Sequence, residues 1–333
     1  MSRAPGTETE AQEEAARIVE RHWGLEARLE PLPSYADTNY RVVTEGGSTL
    51  LRLANAAEAE STLRFQERLL GRLAEAALPT PRALLGRSGD VLESVSFRGE
   101  TRWARLHSWL PGRPLATVVD ASPRLFADLG RLLARIDQAL ENEPGPDEER
   151  LFPWDPRSYP RSLDHLEAIP EDAGRERVAR VLAHFRSDVL PRLDALPAGV
   201  VHNDANDYNA LVDEEGQLTG LTDFGDALLA PRVVEAAVAA TYAMCGRAEP
   251  ASFALALLEG FQGERPLEPE ALPLFFPLIE ARLAVSVVQS AAERARRPHN
   301  EYASVTEPHA WRLLEWFERQ DLEDLTAEAR NLR

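Results

Sequence analysis

The chain has 333 residues, is 44% hydrophobic and 28% charged, and carries a formal net charge of −18, which gives room for one or two domains with a sizeable core. So acidic a chain repels polyanions and argues against a nucleic-acid partner, and its one cysteine, Cys245, excludes a disulfide scaffold or a multi-cysteine metal site. No apolar run reads as long enough to cross a bilayer, and the acidic opening MSRAPGTETEAQEEAA lacks a signal-peptide core, so a cytoplasmic protein with no membrane partner is expected.

In chain order, Thr7 followed by Glu10 resembles a capping box, and it opens a predicted helix that runs to about Trp23. Tyr40–Val43 and Leu50–Leu53, separated by Glu45-Gly46-Gly47-Ser48, predict a β-hairpin. Leu63, Leu69, Leu70 and Leu73 then recur at helical spacing ahead of Pro79 and Pro81. Two further strand-like runs, Val91–Phe97 and Thr101–Trp109, flank an Arg98-Gly99-Glu100 turn. Strands, one helix and strands again imply an antiparallel sheet with a helix packed on it.

From Ser122 onward the pattern is helical: Ser122–Leu140, Glu171–Leu193, Val233–Cys245, Ser252–Glu259, Pro269–Arg297 and Glu307–Phe317. One β interruption, Asn209–Asp213 and Gln217–Thr222, turns at Glu214-Glu215-Gly216. The seam between sheet and helices lies near Trp109-Leu110-Pro111-Gly112. The fold class this predicts is α+β.

The chemistry is concentrated around that late hairpin. Asp204 and Asn209 precede its first strand, and Asp223, in Thr222-Asp223-Phe224-Gly225-Asp226, follows its second. Antiparallel strands return Asp223 to the end where Asn209 starts. Phosphoryl transfer needs such a set: a carboxylate to take the proton of the attacking hydroxyl, here Asp204, and hard oxygen ligands for Mg²⁺, here Asn209 and Asp223. Aspartate, four residues, then asparagine, followed by Asp-Phe-Gly, is the kinase catalytic-loop and magnesium pattern. His202 reads as a brace for the loop rather than a second base.

These residues resemble the motif of the aminoglycoside phosphotransferase and choline kinase-like superfamily. HNDANDYN is similar to the HGDANDYN form of its hydroxylysine kinase-like members, and Leu32 to Tyr40, LPSYADTNY, resembles their loop between the first strands. Arg282-Leu283-Ala284 and Asn300-Glu301-Tyr302 resemble the same group. The resemblance implies a protein kinase-like, two-lobe fold. Residues 1–106 would form a nucleotide-binding lobe with a five-stranded antiparallel sheet and one key helix. Residues 107–333 would form a mainly helical catalytic lobe, with nucleotide between the two.

It also implies further site residues. Arg52 stands where protein kinases carry lysine on the α/β-phosphates, and a guanidinium keeps that charge. Its acidic partner on the next helix is Glu67, with Glu60 as the competitor. No glycine-rich phosphate loop occurs between the first strands, and the segment from Ser34 to Asn39 takes its place. The purine is expected near Leu106 and Trp109. Asp226 meets a substrate ammonium or positions a loop, and Glu235 offsets a helix dipole. Arg282, Glu280 and Tyr302 are candidates for the acceptor site.

The expected reaction is therefore transfer of the γ-phosphoryl group of ATP or GTP, with Mg²⁺, to the hydroxyl of a small acceptor that carries an amine. The resemblance points first to 5-hydroxylysine. Homoserine, choline, ethanolamine, fructosamines and aminoglycosides are neighbouring options. Two other readings are a weakly catalytic nucleotide-binding scaffold and a Mg²⁺-dependent phosphohydrolase.

Overall fold

The computed structural model describes residues 8–34, 37–146, 152–296 and 306–332. The chain divides into two units, Met1–Pro111 with Pro146–Glu148, and Gly112–Gly145 with Glu149–Arg333. The division falls at the Trp109–Gly112 seam. A boundary at residue 106 is displaced by five residues, because Leu106 lies inside a strand whose hydrogen bonds continue past it.

The first unit begins with α1 (Glu8–Trp23), which buries Ala11, Ala15, Ile18 and Val19 at i, i+4, i+7 and i+8. Thr7, the expected cap, lies outside the described residues. The strands β1 (Arg28–Leu32), β2 (Thr38–Thr44) and β3 (Gly47–Leu53) follow, then α2 (Glu60–Glu75) and the strands β4 (Ala83–Leu84), β5 (Glu93–Phe97) and β6 (Glu100–Ser108). The sheet has six strands in the order β1-β2-β3-β6-β4, with β5 also on β6, and every pair is antiparallel.

Six strands exceed the expected five, and both predicted helices are present, α2 being the one expected on the sheet. Periodicity hid two strands, the two-residue β4 and β1: Pro31 interrupts β1, and proline is tolerated there because β1 sits at the sheet edge. The β5–β6 turn is a two-residue loop in which Arg98 and Gly99 both have positive φ, 52° and 80°. That geometry matches strand twist, and Gly99 adopts it without a Cβ penalty. Tyr40, Val42, Leu51, Leu53, Val95, Phe97 and Leu106 pack with the buried face of α1 into one core.

In the second unit β7 (Arg113–Pro114) precedes α3 (Pro123–Ala139) and a run of 3₁₀ turns (Pro156–Ala168). Next come α4 (Asp172–His184), a wider π turn (Phe185–Val189) and α5 (Leu190–Leu193). Pro191, in the first turn of α5, has no N–H to continue the ladder, which accounts for the wider turn before it. The strands β8 (Ala198–Val201), β9 (Ala210–Val212), β10 (Leu218–Leu221) and β11 (Leu228–Pro231) then lead into α6 (Val233–Met244), α7 (Pro250–Glu264), α8 (Phe275–Arg296), α9 (Glu307–Phe317) and α10 (Leu322–Arg330).

Two small sheets hold the loops: β10-β9-β7 and β11-β8. α3 and α7 approach through paired glycines. A Cβ on Gly130 would strike the Leu257 carbonyl, and one on Gly260 would strike that of Ala127. α8 corrects one expectation. With the turn before it, Leu272–Arg296, it is long and apolar enough to cross a membrane, but 78% of that window is buried inside the protein. It reads as a core helix.

Candidate active site

In the second unit the sequence between β8 and β9 forms a closed loop around Asp204. Asn206 acts as a turn residue: its Oδ1 accepts the N–H groups of Tyr208 at 2.8 Å and Asn209 at 3.0 Å. Its Nδ2 donates to Asp204 Oδ1 at 3.1 Å, and Asn209 Nδ2 donates to Asp204 Oδ2 at 2.8 Å. Both carboxylate oxygens are thus oriented from within the loop. After β10, the Thr222 N–H and hydroxyl both bond the Asn209 carbonyl, which ties the residue before Asp223 to Asn209. Asp223 itself is left-handed, φ 63°, and caps the Gly225 N–H at 3.3 Å.

His202 is a brace, as its chemistry here shows. It is fully buried, Nε2 donates to the Thr222 carbonyl at 2.9 Å, and Nδ1 accepts the Asp204 N–H at 3.1 Å. Both ring nitrogens are engaged, the Phe224 ring meets it edge-on, and burial lowers its pKa to about 4, so it is neutral. Glu235 differs from expectation. It stands in the first turn of α6, but its fully buried Oε2 accepts the main-chain N–H groups of His202 and Asn203. It clamps the catalytic loop rather than merely offsetting a dipole.

Burial raises the Asp204 pKa to about 8, with Asp226 and Asp223 adding to the rise and Arg282 opposing it. Three carboxylates thus crowd one place with a single guanidinium among the named counter-charges. That excess suits a divalent cation. Asn209 uses its amide nitrogen on Asp204, which leaves Oδ1 for a metal, and Asp223 supplies a carboxylate: both are hard oxygen donors. No three His, Cys, Asp or Glu side chains form a metal cage among the described residues. Two protein ligands completed by substrate phosphates are the Mg²⁺ pattern.

Arg282, from the middle of α8, is buried beside Asp204. Its Nη2 lies 3.7 Å from Asp204 Oδ1 and 3.4 Å from the Tyr242 hydroxyl. Its Nη1 donates to the Trp154 carbonyl at 3.2 Å and meets the Tyr159 hydroxyl at 3.4 Å, and the Trp154 ring covers it at 4.4 Å. Asn203, at φ 63°, sends Nδ2 to the carbonyls of Trp154 and Asp226 at 3.2 and 3.4 Å. Asp226 is half-buried beside the loop, and Tyr302 lies outside the described residues. Cys245 carries no nucleophilic character: burial pushes its thiol up to about 12.

The first unit holds the other predicted residues. Arg52 on β3 ion-pairs with Asp37 at 3.4 Å, and Asp37 also accepts the Asn55 N–H at 3.1 Å. Directly across the sheet from Arg52 is Arg105 on β6. Its Nη1 bonds Gln66 at 2.7 Å and Glu67 at 3.2 Å, and its Nη2 lies 3.6 Å from Asp37. His107, two residues on and on the same face, meets the Glu67 carboxylate at 2.9 Å. Burial works to raise the Glu67 pKa, but His107 and Arg105 prevail and hold it below the usual range.

Sequence reasoning set Glu67 against Arg52. The structure sets it against Arg105 and His107 and gives Arg52 an ion pair with Asp37. Glu60 is tied to Arg64 at the exposed end of α2. Ser34 is exposed, and Asn39 pairs with Arg52 across β2–β3, its buried Oδ1 meeting no donor among the described residues. Leu106 points into the core, which leaves only its main chain for a purine, and Arg41 lies over the Trp109 ring at 4.7 Å.

Removing Glu67 should therefore destabilise the fold. Glu67→Ala leaves the buried Arg105 with only the more distant Asp37 and strips His107 of its carboxylate, and is expected to cost about 3 kcal/mol, whereas Glu60→Ala, at an exposed pair, should cost less than about 1 kcal/mol. Chemical unfolding of the two variants decides it. Equal losses would show that the Glu67 network contributes nothing special.

An antiparallel sheet with a packed helix, followed by helices carrying an Asp–Asn–Asp hairpin site, defines a kinase-fold phosphotransferase. The chain belongs to the phosphotransferase enzyme family, whose model matches residues 28–274. It is 29% identical to the hydroxylysine kinase of Mus musculus, over 92% of this chain and 88% of that protein. Among solved structures it resembles a microcompartment-associated aminopropanol kinase, with a TM-score of 0.73 and 16% identity over 96% of this chain and 98% of the other. It also resembles an amicoumacin kinase in complex with AMP-PNP, Ca²⁺ and Ami, with a TM-score of 0.70 and 16% identity over 96% and 100% of the two chains. The protein is a small-molecule kinase of this fold.

Proposed function

We propose that the protein phosphorylates the hydroxyl of an amino alcohol or amino acid-like acceptor, with 5-hydroxylysine as the leading candidate, using ATP or GTP and Mg²⁺. The observation that carries the acceptor is the similarity to hydroxylysine kinase along nine-tenths of the chain. The charge around Asp204 supports it: Asp226 and Asp223 flank the base, an environment that favours an ammonium-bearing substrate over an anion.

In this reading Asp204, oriented by Asn206 and Asn209, takes the proton of the acceptor hydroxyl as the new P–O bond forms and the bond from the γ-phosphorus to the bridging oxygen breaks, releasing the nucleoside diphosphate. Asn209 and Asp223 would hold Mg²⁺, which when bound would neutralise charge on the phosphate oxygens. Arg52, kept in place by Asp37, binds the α/β-phosphates, and Glu67 with Arg105 and His107 fixes the helix behind it. Asp226 receives the acceptor amine.

A coupled turnover assay tests this, with Mg²⁺, ATP or GTP, and a panel led by 5-hydroxy-L-lysine with homoserine, choline, ethanolamine and an aminoglycoside. Strong stimulation by 5-hydroxy-L-lysine is the expected result. Stimulation by another member alone would replace the acceptor and keep the kinase. Nucleotide hydrolysis that no acceptor stimulates would favour the phosphohydrolase reading.

A further inference from the structure

Two guanidiniums of the first unit share one carboxylate. Arg52 on β3 and Arg105 on β6 are register partners, so their side chains leave the same face of the sheet side by side. Asp37 Oδ2 lies 3.4 Å from Arg52 Nη2 and 3.6 Å from Arg105 Nη2, and Asp37 Oδ1 accepts the Asn55 N–H at 3.1 Å. Two cations and a main-chain N–H therefore converge on one oxyanion.

The fit is loose. A charge-assisted N–H···O⁻ bond closes to about 2.7–2.9 Å, and neither guanidinium comes so near to Asp37. Arg105 shows the contrast within one side chain. Its Nη1 bonds Gln66 at 2.7 Å and Glu67 at 3.2 Å, and its Nε is buried and meets no acceptor among the described residues. The two arginines also repel each other: burial, and then the charge of Arg52, push the Arg105 pKa down, and Glu67 and Asp37 oppose them. One carboxylate oxygen shared between both offsets that repulsion only in part.

Asp37 is placed to leave. β1 pairs with β2 from Leu32 opposite Asn39, and β2 pairs with β3 from Thr38 opposite Leu53, so Asp37 belongs to neither ladder. Moving its side chain breaks no strand hydrogen bond. The Asn55 N–H loses an acceptor at an exposed position, where water replaces it. The Asp37 and Arg52 side chains keep 16% and 14% of their surface in solvent, whereas Arg105 keeps 2%.

We propose that Arg52, Arg105 and the Asn55 N–H form one seat for a nucleotide phosphate, and that Asp37 fills this seat in the free protein and is displaced when the nucleotide binds. This rests on the reading of Arg52 as a ligand of the α/β-phosphates. It adds Arg105 as a second phosphate cation and makes Asp37 a competitor of the nucleotide. A phosphate group of the nucleotide offers several oxygens in different directions, so it meets both guanidiniums and the N–H without sharing one atom among them. Exchange of one anion for another never leaves the arginines facing each other bare. The nucleotide's affinity is lowered by the fraction of molecules in which the carboxylate still holds the seat.

Calorimetric titration tests the proposal, with the Mg²⁺ complexes of non-hydrolysable ATP and GTP analogues and with adenosine and guanosine as phosphate-free controls. Asp37→Asn keeps an acceptor for the Asn55 N–H and removes the charge. It is expected to tighten the bound analogue by about fivefold or more, to leave the nucleoside within about twofold, and to lower the Tm of the free protein. Arg105→Gln placed on Asp37→Asn should give back most of that gain, and a gain kept in full overturns the shared seat. Arg52→Gln should weaken the analogue by about tenfold or more. If it does and Asp37→Asn binds the analogue no more tightly than wild type, the seat is overturned and Arg52 remains a phosphate ligand that Asp37 positions. If Arg52→Gln leaves analogue binding unmoved, the reading of Arg52 falls and the seat with it. Should Asp37→Asn fail to fold, a crystal structure of the wild-type complex with the analogue decides. Asp37 beyond ion-pair reach of both arginines, with a phosphate oxygen in its place, is the expected result, and Asp37 still between them overturns the proposal.

Discussion

Asp204→Asn is expected to lower kcat by a factor on the order of 10³–10⁴ while nucleotide binding stays near wild type. Asparagine keeps the shape of the side chain and one acceptor oxygen. It has no lone pair to take the hydroxyl proton on the atom that replaces the second oxygen. That atom would also point an N–H at Asn206 or Asn209, both of which donate to Asp204 in the native loop. One hydrogen bond is therefore lost, while the repulsion from Asp226 and Asp223 is relieved. These changes oppose each other, so the melting temperature should move little and the loss of turnover is not unfolding. Steady-state kinetics with calorimetric titration of the Mg²⁺–nucleotide checks the result. Turnover within about tenfold of wild type would remove Asp204 from the base role.

The catalytic hairpin was legible because its information is local. The spacing from Asp204 to Asn209, the Glu214-Glu215-Gly216 turn and the Asp-Phe-Gly run lie within two short strands, and the register brings Ala210 opposite Leu221. Gly216 takes φ 79°, as the turn requires. Partners set by sheet register were harder to read. Arg105 and His107 alternate on one face of β6, a period-2 signal present in the sequence, but only the β3–β6 pairing shows that the face meets Arg52 and α2.

Other parts left almost no sequence signal. The 3₁₀ run Pro156–Ala168 starts on one proline and has another inside it, which breaks any helix signal, yet it supplies Tyr159 to Arg282. Trp154, just ahead of it, is tied to α8 and the catalytic loop by a main-chain carbonyl, which no side-chain pattern reveals. Asn203 stands where the resembling motif has glycine, and its left-handed backbone is the reason glycine suits that position.

Arg282→Met is expected to lower stability by about 3–5 kcal/mol, because it breaks a buried ionic network by removing one partner. Methionine fills the volume but leaves the hydroxyls of Tyr159 and Tyr242 without their donor, and Asp204 Oδ1 without its cation. The Trp154 carbonyl keeps Asn203. Turnover should fall as well, and the kinetic pattern separates two roles. If Arg282 acts through Asp204, kcat falls by roughly 10²-fold and the acceptor KM changes little. If it binds the acceptor, as sequence reasoning allowed, KM rises and kcat at saturation is largely kept. The geometry favours the first: the guanidinium is 2% exposed, covered by Trp154, and its nearest carboxylate is the base itself. Arg282→Lys sharpens the test, since a single ammonium restores charge near Asp204 but cannot span the directions to Trp154, Tyr159 and Tyr242 at once. Partial recovery of kcat with little recovery of melting temperature would place the charge in catalysis and the fork in stability. A saturating turnover unchanged in Arg282→Met would assign the arginine to the fold or to the acceptor, and leave Asp204 to be oriented by Asn206 and Asn209 alone.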